Sequence, residues 1–114
     1  MPDPYLIRRT AAGNLSQEAV SFDTTTHGKN VQARVNLLSV TGDATSVEVR
    51  LTDPSDVDNK PLLLAVDASE LVLENLLLPQ DRETQESFGL EVTTVGGTGT
   101  QRLTVQWDPQ ETEV

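Results

Sequence analysis

The chain has 114 residues, 36% hydrophobic and 23% charged, which suits one domain with one core and is too short for two. Eighteen acidic residues against eight basic ones give a net charge of −10, and outside Arg8-Arg9 the bases are scattered, so direct binding to a phosphate backbone is not expected. Without cysteine there is no disulfide and no thiolate metal site; no apolar run approaches the roughly 18 residues that cross a bilayer, and Met1-Pro2-Asp3-Pro4 lacks the basic start of an export signal.

Residues 1–16 stand apart as an N-terminal arm: Tyr5-Leu6-Ile7 is apolar, Arg8-Arg9-Thr10 polar, and Ala11-Ala12-Gly13-Asn14 small. They suit either an edge strand or a segment that reaches a neighbouring subunit. From residue 17 a two-residue alternation takes over, the period of a strand with one buried face. Val20 and Phe22 carry it over 17–24 before His27-Gly28 breaks it. Val31, Ala33, Val35 and Leu37 then share one face against Gln32, Arg34 and Asn36. Beyond the turn residues Thr41-Gly42-Asp43-Ala44, the residues Val47, Val49 and Leu51 resume the alternation, which predicts a β-hairpin. Residues 53–61 collect Pro, Asp, Asn and Ser and read as an exposed loop.

The runs 61–66 and 69–78 contain Leu62-Leu63-Leu64-Ala65-Val66 and Leu71-Val72-Leu73, dense enough for strands buried on both faces, with a short helix near Asp67 or Ser69 as the alternative. Phe88, Leu90 and Val92 mark another strand, and Gly96-Gly97-Thr98-Gly99 leads to Leu103, Val105 and Trp107, which predicts a second hairpin. Residues 109–114 are acidic and read as a mobile tail. The sum is an all-β chain: a small antiparallel β-sandwich of about seven strands over 17–108, jelly-roll or Ig-like, between an arm and a tail. Only Tyr5, Phe22, Phe88 and Trp107 are aromatic, so the core is a thin one of Val, Leu and Ala that an oligomer interface would reinforce.

No constellation for catalysis stands out. His27 is the lone histidine and sits in a Thr-rich turn, and no serine lies in a Gly-x-Ser-x-Gly elbow. Asp53, Asp56 and Asp58 crowd one loop, but counting from Asp56 puts Pro61 where an EF-hand needs glycine and Asp67 where it needs glutamate; a looser calcium site there stays open. Gly96, Gly97 and Gly99 precede Thr100-Gln101-Arg102 rather than the Lys-Ser/Thr of a phosphate loop. Glu83 with Glu86, and Glu111 with Glu113, lie in polar segments where nothing separates their pKa values. Asn14-Leu15-Ser16 matches a glycosylation acceptor without a secretory setting. No catalytic, cofactor or metal residue is assigned.

The segments Tyr5 to Ala11, Val31 to Val40 running into Thr41 to Val49, Ser69 to Leu73 and the closing predicted hairpin resemble, in their order, the small β-sandwich virion proteins of tailed bacteriophages. That group includes accessory proteins of capsid, neck and tail. The resemblance implies a non-catalytic protein of the virion, assembled in the host cytoplasm, that decorates, cements or joins. Its partners would be copies of itself, a trimer before other states, and the major capsid or other virion proteins. Tyr5, Leu6, Ile7, Arg8 and Arg9 are the candidate partner-binding residues, since an aromatic, two aliphatics and two arginines can bury area and pair with carboxylates. The competing class is a carbohydrate- or ligand-binding sandwich, for which the aromatic supply is poor.

Overall fold

A computed structural model of the protein describes residues 5–28 and 30–111. Among them are eight strands and no α-helix: β1 (Tyr5–Ala12), β2 (Glu18–Val20), β3 (Val31–Thr41), β4 (Ser46–Thr52), β5 (Leu62–Val66), β6 (Leu71–Leu77), β7 (Gly89–Val95) and β8 (Thr100–Glu111). The one helical turn is a 3-10 turn at Thr25–His27. The strands form two four-stranded antiparallel sheets, ordered β1-β8-β3-β6 and β2-β7-β4-β5. Every link except β4 to β5 passes from one sheet to the other, which makes the sandwich a jelly roll rather than an Ig-like fold.

This winding corrects both predicted hairpins. Strands β3 and β4 lie in different sheets, as do β7 and β8, so the Gly42-Asp43 and Gly96–Gly99 segments are arches across the sandwich. The hairpin that exists joins β4 to β5 through residues 53–61. A turn residue sets where the chain reverses; whether the next strand pairs with the last or crosses to the other layer depends on where its apolar face finds cover. The short helix allowed near Asp67 is instead the bend between β5 and β6.

The core is the inward row of each strand: Val31, Ala33, Val35, Leu38 and Val40 of β3; Val47 and Val49 of β4; Leu90 and Val92 of β7; Leu103, Val105 and Trp107 of β8. Leu15, Val20, Phe22 and Leu78 close its ends. Leu37, expected on the buried face, is only half-buried, because the register of β3 against β8 shifts between Val35 and Leu37. The extra residue, Asn36, forms a bulge that turns the following residues over, so Leu38 and Val40 enter the core in its place. Asn36 Nδ2 donates to Asp108 Oδ2 at 2.7 Å, and Asn75, near it on β6, takes a positive φ of 56°.

Polar side chains stitch the ends of the sandwich. The Leu15 N–H donates to Thr94 Oγ1 at 2.8 Å, and the Thr94 N–H to the Leu15 carbonyl at 2.9 Å. The Ala33 N–H donates to Ser87 Oγ, and the Ser87 N–H to Thr24 Oγ1. Among the described residues no buried side-chain polar atom lacks a partner, which is what burial of such groups requires.

Residues 5–12 of the expected arm are a full strand, paired with β8 from Tyr5 opposite Trp107 to Ala12 opposite Thr100. The expected tail is likewise strand as far as Glu111, with Pro109 opposite Ala33 and Glu111 opposite Val31. The long register of β3 supplies partners to that acidic stretch, and composition alone does not reveal them. Residues 1–4 and 112–114 lie outside the described residues.

Candidate interaction surface

The five candidate partner-binding residues sit together on β1, an outer strand of the first sheet. Alternation divides them between two faces. Tyr5, Ile7 and Arg9 share the side of Trp107, Val105 and Leu103, whereas Leu6 and Arg8 stand opposite Gln106 and Thr104 on the outer face. Ile7 packs against the core, so it is structural as well as available. Tyr5 stacks on Trp107 with ring centroids 4.8 Å apart, and its hydroxyl lies 3.3 Å from His27 Nε2. Phe22 meets the same indole edge-on at 5.2 Å. Trp107 is thus enclosed, and Tyr5 remains 46% exposed beside a shallow depression that Ser21, Asp23, Thr26 and His27 also line. Arg9 pairs with Glu18 at 3.3 Å, an exposed contact of small energetic weight. Arg8 is exposed.

The outer face of this sheet carries cations on an acidic chain. Thr10 faces Arg102 across β1 and β8, and Arg34 of β3 stands between Asp108 and Leu77. The far edge is β6, whose outward residues are Val72, Glu74 and Leu77, opposite Ser39, Leu37 and Arg34. Here the reading of burial on both faces fails. Leu62, Val72 and Leu77 are 52%, 58% and 39% exposed, because they point to the outer faces of their sheets, which no described element covers at β5 and β6. Leu63, Leu64, Val66, Leu73 and Leu76 are partly buried against the core. The leucine density that signalled double burial is real, and the chain by itself satisfies one side of it.

Two carboxylates, singled out by no motif, organise the loops. Asp43 accepts from the Thr98 N–H, the Thr98 hydroxyl at 2.6 Å, the Gly99 N–H and Gln101 Nε2 at 2.6 Å, which fastens one arch to the other. The Thr98 hydroxyl first, then Gln101 and the Gly99 amide, hold its carboxyl well below the usual carboxylate range. Gly42, at φ 153°, precedes it in a position where a Cβ would run into the buried Gln101 side chain. Asp81 accepts from the Thr84 N–H and hydroxyl and from the Ser55 hydroxyl at 2.8 Å, tying the 81–86 turn to the 53–61 loop. The Thr84 amide is the main cause of its lowered pKa, against a desolvation that pushes the other way.

The 53–61 loop also covers part of the second sheet. Lys60 reaches Glu91 at 2.8 Å, so Glu91, an outward position by alternation, is buried. Asp53 Oδ1 accepts from the Ser55 N–H and hydroxyl, and among the described residues no group of three His, Asp or Glu is placed to hold a metal ion. No described helix is long and apolar enough to cross a membrane. No protein-family model matches the chain, and no curated protein is significantly similar to it.

Proposed function

We propose that this chain is a non-catalytic structural protein of a tailed-bacteriophage virion, a capsid decoration or cement protein or a neck or tail accessory. It acts through contacts with copies of itself and with major capsid or other virion proteins. The observation that carries the assembly reading is the apolar border formed by β5 and β6, with Leu62, Val72 and Leu77 open to solvent beside strands that have no outer partner. Exposed apolar edges of this kind are avoided in proteins that work alone and are used by proteins that assemble. The jelly-roll winding supports the virion setting, being an architecture of viral capsid domains, and Tyr5, Leu6, Ile7, Arg8 and Arg9 supply the second contact surface.

The test is quantitative mass spectrometry of purified particles from a lysate in which the chain is expressed. A fixed copy ratio to the major capsid or tail protein is expected; absence from washed particles overturns the virion reading. A carbohydrate-binding module is the second reading, favoured by the half-exposed Tyr5 ring beside Asp23, Thr26 and His27. Because Tyr5 stacks on the chain's single tryptophan, a sugar bound there would change Trp107 fluorescence in a titration.

A further inference from the structure

We propose that copies of this chain join head to tail through the two borders of the first sheet, β6 of one copy adding to β1 of the next to extend the sheet across the seam. The inference rests on the assembly reading above and gives it a geometry. The sheet has four strands in antiparallel order, so its two outer strands run in opposite directions. A second copy placed in the same orientation therefore brings β1 antiparallel to β6, the pairing that both borders already use on their inner side. Each border offers unpaired backbone N–H and C=O groups, the usual template for strand addition.

The side chains discriminate in favour of this partner. The outward residues of β1 are Leu6, Arg8 and Thr10, and those of β6 are Val72, Glu74 and Leu77. At matched height Arg8 falls beside Val72 and diagonally across from Glu74, and a two-residue shift sets it directly opposite; both lie within reach of an arginine. At matched height Leu6, 49% exposed, falls opposite Glu74 and diagonal to the exposed Val72, and the two-residue shift that sets Arg8 opposite Glu74 carries Leu6 towards the exposed Leu77. Pairing β6 with a second β6 would instead set Glu74 near Glu74, and pairing β1 with β1 would set Arg8 near Arg8, both repulsive. A seam between two different borders is heterologous, so it builds rings, or fibres where the rotation fails to close. Asn75, at φ 56°, interrupts β6, so the segment Leu71 to Glu74 carries the regular part of the seam.

Sedimentation velocity on the full chain tests this with Arg8→Glu and Glu74→Arg, both at exposed positions, after circular dichroism has shown that each is folded. The wild type is expected as a trimer or larger ring and each variant as a monomer. An equimolar mixture of the two is expected to associate again into assemblies in which the variants alternate, an even-numbered ring or a fibre, because only a seam between unlike variants sets opposite charges across from each other. Val72→Lys, at the same seam, gives a second route to the same loss. A monomeric wild type at its highest soluble concentration, or an Arg8→Glu variant as large as wild type, overturns the proposal. Such a failure leaves the virion reading to its own test, the presence of the chain in particles.

Discussion

Asp43 illustrates how one short side chain can fix a winding. The β3–β4 and β7–β8 arches lie at the same end of the sandwich, and its carboxylate collects the amides and hydroxyl that the second arch leaves without partners. Its pKa is lowered in the fold, so between the folded and unfolded values the unfolded chain binds the extra proton. Its stabilisation is therefore complete above the ordinary carboxylate value of about 4 and is lost as the pH falls below it. Asp81, shifted in the same direction, adds to the loss. Thermal melts from pH 7 down to pH 2 are expected to show the melting temperature falling steeply over the acid limb. Asp43→Asn is expected to lower the melting temperature at neutral pH and to flatten that limb; a variant with the wild-type slope would mean that the clasp is not formed.

At the scale of the element, β3 shows what alternation reveals and where it stops. The rows Val31-Ala33-Val35 and Val47-Val49 are visible as a two-residue period, and they are buried where that period places them. Past Asn36 the period inverts, because a bulge inserts one residue without any Gly or Pro to announce it. Leu38-Ser39-Val40 continues the alternation equally well from the shifted frame, so only the partner strand decides between the two. The same blindness turned two arches into hairpins. It also hid the standing of β5 and β6: leucine density reports how much cover a strand needs and says nothing of whether its own chain supplies it. The candidate residues Tyr5 to Arg9 were legible as a cohesive apolar and basic segment, whereas Glu74, across the chain, becomes part of the surface only through strand order. Deleting Asn36 is the direct test of the bulge. In the shortened strand Leu37 follows Val35 directly, so Leu38 and Val40 stay on the inner face and β3 runs against β8 without a register shift; what is lost is the Asn36–Asp108 hydrogen bond, about 1 kcal/mol. The cooperative thermal transition is expected to persist, as it does on deletion of exposed Asp58 from the 53–61 loop; its disappearance on deletion of Asn36 would mean that Asn36 is not the extra residue.

For the molecule as a whole, the jelly roll makes its two ends mutually dependent. The first strand pairs along its full length with the last, and β8 in turn lies between β1 and β3. An arm that served only to reach a neighbour could be cut away and leave the sandwich whole. A border strand cannot, because its removal uncovers the β8 backbone, takes Tyr5 off the face of Trp107 and withdraws Ile7 from the core. Deletion of residues 1–12 is therefore expected to do more than dissolve an oligomer. Trp107, 6% exposed in the intact chain, should shift its emission to the red, and the melting temperature should fall even in dilute solution where no oligomer exists. The bared β8 should also make the truncated chain prone to aggregation, since an uncovered strand recruits whatever strand it meets. Unchanged emission and melting would mean that residues 5–12 leave β8 in solution and serve as a free arm. The variants Arg8→Glu and Glu74→Arg change the seam without removing the strand, so together with the deletion they separate what β1 does for its own sandwich from what it does for the next copy.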